Sequence, residues 1–389
     1  MNEKEKTVLL SVPNISGNEL KYVKECLDTG WISSAGSYVD KFEQMVADYA
    51  GARYGIATMN GTSALHTALI LAGVKPKDYV IVSNMTFVAS ANSIKYTGAD
   101  PILIDADPKT WQMDLGLLDE FLDNKTSINL EGERVLITDG RCVRTIMPVH
   151  IQGNIFDVDR FKVICKKYNM SFVEDAAEAL GSKFKGQSAG TFDKLGIFSF
   201  NGNKIVSTGG GGVIVTNDKL LAIKAKHITT TAKVDPMLYY HDEVGYNYRL
   251  VNVLAAIGVA QMEQLPSFVN KKQFIGNYYR EHLRGVGDIE FQHVNDEVEH
   301  NDWLFTIKTK YQEELLKYLN ANNVMSRPFW MPMNQLPMYK NCLYITRIDN
   351  CKKIHDSCLS IPCSTGITLD DLKKVVETIK KFYKNALNF

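Results

Sequence analysis

The stretch Gly196-Ile-Phe-Ser-Phe-Asn-Gly-Asn-Lys204-Ile-Val-Ser-Thr-Gly-Gly-Gly-Gly212 decides the fold. An apolar, strand-like run turns through a short polar segment bearing one lysine. Four glycines follow before the chain becomes apolar again. That run lacks the spacing of a dinucleotide fingerprint or of a lysine-containing phosphate loop, and it precedes a strand rather than a helix. It reads as close backbone packing behind Lys204. Upstream, another apolar run, Met170–Glu174, ends in Val173-Glu-Asp175-Ala-Ala-Glu178.

Working outward, residues 50 to about 215 alternate short apolar runs with helical patterns, as a mostly parallel sheet covered by helices requires. Strands are expected at Tyr54–Thr58, Tyr79–Val82, Pro101–Ile104, Thr145–Val149, Met170–Glu174, Ile197–Phe200 and Gly212–Val215. Thr62–Gly73 has helical spacing, with Leu65, Ala68, Leu69 and Ala72 on one face. Val158–Tyr168 is a second helix, with Asp157 placed to cap it. Beyond Tyr246–Asn252 an apolar helix runs to about Leu265, and the chain then becomes more charged and Lys-rich. Helical patterns recur near Phe274–Leu283, Gln312–Asn322 and Leu369–Lys384. The expected division is a large α/β domain over 1–265 and a smaller C-terminal α+β domain over 266–389. A helix at Gly17–Thr29 leads into the loop Gly30-Trp-Ile-Ser-Ser-Ala-Gly36, which is long enough to reach a cleft.

Open α/β sheets place ligand-contacting groups at the carboxyl ends of their strands. Asp175 stands at such an end, where it serves either as a helix cap or as a buried acid paired with a ring nitrogen. Glu178 is close by in sequence, and a second carboxylate there must be protonated or offset by a neighbour. In Asn60-Gly-Thr-Ser-Ala-Leu-His66 a strand turns into a helix start, leaving backbone N–H groups and the Thr62 and Ser63 hydroxyls at the positive end of the dipole. This is either an ordinary cap or a phosphate site, and Ser199, just before Lys204, adds a hydroxyl to the second reading. Phe87 begins a helix after a strand end, placed for the core or for stacking on a ring. His150 ends a strand and is either structural or faces a ligand. A lysine for an aldehyde, an acid for a pyridine nitrogen and donors for a phosphate together make the set that a pyridoxal phosphate enzyme brings to one pocket.

Composition limits the partners. The 389 residues carry 44 Lys+Arg against 44 Asp+Glu, so no net charge marks a nucleic-acid or membrane surface, and a small-molecule substrate is favoured. Cys26, Cys142, Cys165, Cys342, Cys351, Cys358 and Cys363 form no Cys-x-x-Cys and read as reduced thiols, so no metal site is expected. The charged start leads to no apolar leader, and no run of about eighteen apolar residues follows. The expected location is the cytoplasm.

On Gly30-Trp-Ile-Ser-Ser, Asn60–His66, Thr86-Phe-Val-Ala, Pro148-Val-His150, Glu174–Gly181, Ser199–Lys204 and Gly245-Tyr-Asn-Tyr-Arg-Leu250, nearly the whole chain resembles the sugar aminotransferases of the DegT/DnrJ/EryC1/StrS family. The resemblance implies the fold-type I, aspartate aminotransferase-like architecture and pyridoxal 5'-phosphate as cofactor. Lys204 would carry the cofactor, Asp175 would pair with its ring nitrogen, Glu178 would approach its phenolic oxygen, and Phe87 would stack on the ring. Thr62, Ser63 and Ser199 would hold the phosphate, joined by Asn247 from a second subunit of a homodimer with shared sites. Related enzymes that remove a hydroxyl have histidine at the lysine position, and Lys204 argues against that chemistry. Many members have glutamine where this chain has Glu178. Phe198–Gly212 and Ser326-Arg-Pro-Phe-Trp-Met-Pro-Met333 look like the branch acting on UDP-linked 4-keto-6-deoxy-N-acetylhexosamines, for bacillosamine or legionaminic acid, with glutamate as donor. Arg327, Trp330, Ser33, Ser34 and His150 would then meet the substrate. The rival readings are a GDP- or dTDP-linked sugar, a cyclitol ketone, or a non-catalytic cofactor-binding sensor.

Overall fold

The computed structural model describes residues 6–235 and 237–386; the charged start at 1–5 lies outside them. The large sheet is built from β1 (Tyr54–Thr58), β2 (Tyr79–Ser83), β3 (Asp100–Ile104), β4 (Val143–Met147), β5 (Val173–Asp175), β6 (Leu195–Ser199), β7 (Gly212–Thr216) and β8 (Tyr344–Ile345). Two ladders, β1-β7-β6-β5 and β8-β3-β2-β4, are joined by parallel bridges at Ile146–Phe172 and Val149–Asp175. Only β7 runs antiparallel to its neighbours, β1 and β6. The carboxyl ends of β2, β4, β5 and β6 therefore lie along one edge, where the sheet presents its ligand-facing groups.

Apolar alternation explains why the sheet is buried on both faces. Ile81, Ile102, Ile104 and Ile146 join one cluster with Phe161 and Ile164 of the Val158–Tyr168 helix. Val80, Val82, Leu103 and Met147 face the other way, against Leu65, Leu69 and Ile94. Strand side chains alternate between faces, so two helical layers can each take every second residue. Asp157 caps its helix by accepting from the Arg160 N–H, as its position predicts.

Two strand expectations shift. β5 begins only at Val173, because the Met170 N–H closes the preceding helix on the Cys165 carbonyl and Phe172 makes a single bridge. β4 ends at Met147, with Val149 reduced to a bridge. The Leu265–Leu283 helix starts well before the expected Phe274, with Pro266 in its first turn. Ser37–Ala50 is a further helix, unread in the sequence, that buries Val39, Phe42, Val46 and Ala50.

After the Asn252–Met262 helix, the chain builds a second packing unit. Phe305–Lys308 pairs with Glu290–Phe291 and Cys358–Ile361, and Arg327–Pro328 forms the far edge. Ile275, Tyr279, Leu315, Leu359, Val375 and Ile379 fill its core. One segment of this later chain crosses back: Phe329, Met333, Tyr339, Cys351 and Ile354 pack into the large sheet's cluster, and β8 pairs parallel to β3. No helix among the described residues is long and apolar enough to cross a membrane.

Candidate active site

Lys204 sits in the turn after β6. Phe200 donates its N–H to the Gly211 carbonyl, Thr208 donates to Phe200, and Lys204 donates to Asn201, so the loop closes tightly on itself. The glycine run explains how this loop packs. A Cβ on Gly212 would stand 2.5 Å from the Asn60 carbonyl oxygen, so β7 can lie directly behind the start of the Gly61–Leu71 helix only without a side chain there.

The Lys204 side chain is 13% exposed, with Nζ 3.8 Å from Glu178 Oε1 and 3.9 Å from the centre of the Trp303 ring. Burial pushes the Lys204 ammonium down from its ordinary value, while Glu178 and then Asp175 pull it back up. Burial also raises the Glu178 carboxyl, opposed by Lys204 and by the Gln152 N–H, which donates at 2.8 Å to Oε2. Asp175 ends β5, 3% exposed, and burial raises it as well. The Ser90 hydroxyl at 2.6 Å and the Ala177 N–H at 3.2 Å act in the opposite direction. Ser90 is itself bonded to Thr86 Oγ1 at 2.7 Å. A buried amine drawn toward its neutral form is a nucleophile toward an aldehyde, and a buried acid with two donors suits a protonated ring nitrogen.

These groups line one cavity of about 300 Å³, together with Thr62, Phe87, Ser199, Asn203, Trp303 and Trp330. At one end is the Gly61–Leu71 helix, capped by Asn60, whose side chain accepts from the Ser63 N–H at 2.8 Å. A Cβ at Gly61 would lie 3.2 Å from Ser199 Oγ, so the Ser199 hydroxyl and the helix start share this corner. The corner offers the backbone donors and hydroxyls that an anion needs. Phe87, 54% exposed, lies edge-on to Trp330 at 6.5 Å. The lysine, the acid with its donors and the anion corner therefore fit pyridoxal phosphate.

Other expected residues lie elsewhere. Ser63 is buried beneath the first helical turn. Asn247 is exposed and bridges to Thr230, outside its own chain's cavity. His150 does not face the cavity: it is fully buried, stacked on Phe156 at 5.0 Å, edge-on to Phe192, with Nε2 on Glu174 Oε2 at 3.1 Å. Its place in the sheet's interior corrects the expectation that it meets substrate. Ser33 and Ser34 are exposed on their loop and Arg327 is exposed at a strand edge, its guanidinium on the Ser326 carbonyl; none of the three lines the cavity.

Sequence reasoning missed Ser90 and the segment His300-Asn-Asp-Trp303. Ser90 is one turn after Phe87 in the Val88–Tyr96 helix, and that spacing was the available clue. The Trp303 indole donates to the Asn203 carbonyl at 2.7 Å, and Asn301 Nδ2 donates to the Glu178 carbonyl at 2.8 Å. In sequence these polar residues look like a plain loop before Phe305–Lys308.

Comparison with known proteins agrees with this geometry. The chain is 36% identical over 376 residues to GDP-perosamine synthase of Escherichia coli O157:H7, covering 96% of this chain and 98% of that one. It is 29% identical over 364 residues to UDP-4-amino-4,6-dideoxy-N-acetyl-beta-L-altrosamine transaminase of Campylobacter jejuni, covering 90% of each. The fold is shared with a solved DegT DnrJ EryC1 StrS aminotransferase from Brucella abortus: TM-score 0.86, 24% identity, 94% of this chain and 95% of that one. The DegT/DnrJ/EryC1/StrS aminotransferase family model matches residues 13–380. The chain belongs to that family and is a pyridoxal phosphate-dependent sugar aminotransferase of fold type I.

Proposed function

We propose that this chain moves the amino group of glutamate to the C4 keto group of a nucleotide-linked 4-keto-6-deoxyhexose, acting in the cytoplasm as a homodimer with shared sites. The observation that carries the reading is the convergence of Lys204 Nζ, Glu178 and Asp175 in one cavity beside the start of the Gly61–Leu71 helix. Bound pyridoxal phosphate supplies an aldehyde to take up an amino group and a ring that accepts electrons from the neighbouring carbon. Lys204 holds that aldehyde at rest. When displaced, its amine takes a proton from the α-carbon of the amino donor and later returns a proton to C4 of the sugar. Burial favours the neutral amine that this task needs. Asp175, with Ser90 behind it, keeps a proton on the ring nitrogen. Thr62, Ser199 and the helix start hold the phosphate, joined by the partner subunit's Asn247. Trp330 lines the sugar side.

The relatives bear on the nucleotide. GDP-perosamine synthases of Escherichia coli and Caulobacter vibrioides stand at 36% and 35% identity, the altrosamine transaminase named for a UDP sugar at 29%. This order favours a GDP-linked sugar over the UDP-linked N-acetylhexosamine expected from the Ser326–Met333 stretch. The test is visible absorption of the cofactor-loaded protein, with glutamate and then each keto sugar. Glutamate bleaches the band, and the true substrate restores it. A band that glutamate leaves intact refutes the donor, and restoration by the UDP sugar alone refutes the GDP assignment.

A further inference from the structure

Two non-glycine residues near Lys204 have left-handed backbones: Gln152 at φ 63° and Asp302 at φ 50°. Such a conformation is strained in an ordinary residue and persists only where its surroundings hold it. Gln152 is 2% exposed, and its backbone N–H, its carbonyl and its side-chain oxygen are each held. Its N–H donates to Glu178 Oε2 at 2.8 Å, its carbonyl meets His300 Nε2 at 3.1 Å, and its side-chain oxygen accepts from Thr306 at 2.9 Å. The other nitrogen of His300 meets Asp302 Oδ1 at 3.0 Å, and Asp302 takes both terminal nitrogens of Arg280. Both His300 nitrogens thus face oxygen atoms, Nδ1 that of Asp302 and Nε2 the Gln152 carbonyl. A glycine makes the contact possible: a Cβ on Gly153 would stand 2.0 Å from Asn301 Oδ1.

One line of bonds therefore runs from the later packing unit to the lysine: Arg280, Asp302, His300, the Gln152 peptide, Glu178, Lys204. We propose that His300, set by Asp302, is a positioning residue: it holds Gln152 in its left-handed backbone so that the Gln152 N–H stays on Glu178, which keeps that carboxylate charged beside Lys204 Nζ. This inference rests on the reading that Lys204 bears the cofactor. The charged groups around Glu178 are Lys204 and Asp175, and those around His300 are Asp302 and, behind it, Arg280. A backbone N–H lost from a carboxylate favours its protonated form. Loosening Gln152 therefore weakens the charge that holds a proton on Nζ.

The test is a spectrophotometric pH titration of the cofactor-loaded protein, reading the visible band that reports the proton on the Lys204-linked nitrogen. His300→Ala and Asp302→Asn should retain cofactor and move the midpoint to lower pH by up to about one unit, because the hydrogen bond lost at Glu178 limits the charge it passes on to the nitrogen. Glu178→Gln should lower it at least as far, and adding His300→Ala to Glu178→Gln should move it no further. A midpoint unchanged in both His300→Ala and Asp302→Asn overturns the inference, as does a His300→Ala shift that persists in full without the Glu178 charge. Asp302→Asn, nearly isosteric, decides alone where His300→Ala fails to fold. A parent protein with no visible band overturns the Lys204 assignment, and this inference with it; a parent that titrates normally beside unshifted variants overturns this inference alone.

Discussion

Ser90→Ala removes the O–H that donates to Asp175 Oδ2 at 2.6 Å, one of two donors on this buried carboxylate among the described residues. A short O–H···O⁻ bond is charge-assisted, and such bonds contribute about 1.5–3 kcal/mol. The change strands no buried donor, because Thr86 Oγ1, which loses its 2.7 Å partner, can still donate to the Phe87 carbonyl at 3.3 Å. The cost therefore falls on the charged form of Asp175, the form that holds a protonated ring nitrogen. At about 1.4 kcal/mol per factor of ten, cofactor affinity should weaken by about tenfold to a hundredfold. The pH dependence has a defined sign. Burial already raises the Asp175 pKa, and Ser90 opposes the rise, so its loss raises the pKa further. The loss of affinity on acidification should then begin at higher pH in the variant. The assay is equilibrium titration of apoprotein with pyridoxal phosphate from pH 6 to 9, by fluorescence or by dialysis. An affinity within twofold of the parent throughout would show that Asp175 does not act through its charge on the cofactor.

Further outcomes follow from the same structure. Lys204→Ala should bind cofactor without the visible band of the lysine-linked form and should show no exchange of amino groups with glutamate, measured by spectrum and by 2-oxoglutarate release. Glu174 is fully buried and accepts from the Phe192 and Asp193 N–H groups on one oxygen and from the Gly190 N–H and His150 on the other. In Glu174→Gln the new amide NH2 opposes at least one of these backbone N–H groups, so urea denaturation should show a loss of about 2 kcal/mol; a loss near zero contradicts the count of donors. Arg249→Ala removes the 2.7 Å partner of the Glu43 carboxylate, 7% exposed, which keeps the Ala57 N–H at 2.8 Å and Lys226 at 3.3 Å, and should lower stability by about 2 kcal/mol in the same assay.

The central chemistry was legible because strand ends and glycines leave strong local patterns. The Lys204 loop, Asp175 and the Gly61–Leu71 helix start can each be read from a short window, and the sheet edge gathers them. Phe87 and Ser199 line the same cavity, Phe87 having been placed there by the family resemblance rather than by its window. What could not be read were contacts across long sequence separations. From the later packing unit, Trp303 lies under the Lys204 amine and Asn301 donates to the Glu178 carbonyl, 123 positions away. His150 misled because a strand-end histidine carries no mark of which side its ring takes; the aromatic pair Phe156 and Phe192 drew it inward. The helix at Ser37–Ala50 went unread although its apolar spacing was present, overshadowed by the neighbouring Gly30–Gly36 loop.

β8 bears on whether the protein can be divided. Tyr344–Ile345 closes the outer edge of β3, and Asp105, just past the end of β3, grips the chain on either side of Asp349 through Thr346 Oγ1 at 2.7 Å and the Asn350 and Cys351 N–H groups at 2.8 Å. A fragment stopping near residue 265 would lack this strand and the Phe329, Met333 and Tyr339 side chains from the sheet's apolar cluster. Its β3 edge would be left as an open template for other chains. The first 265 residues are thus not a self-sufficient piece, and attempts to express the cofactor-binding half alone should give aggregated material, because the polypeptide finishes its first core only near its far end.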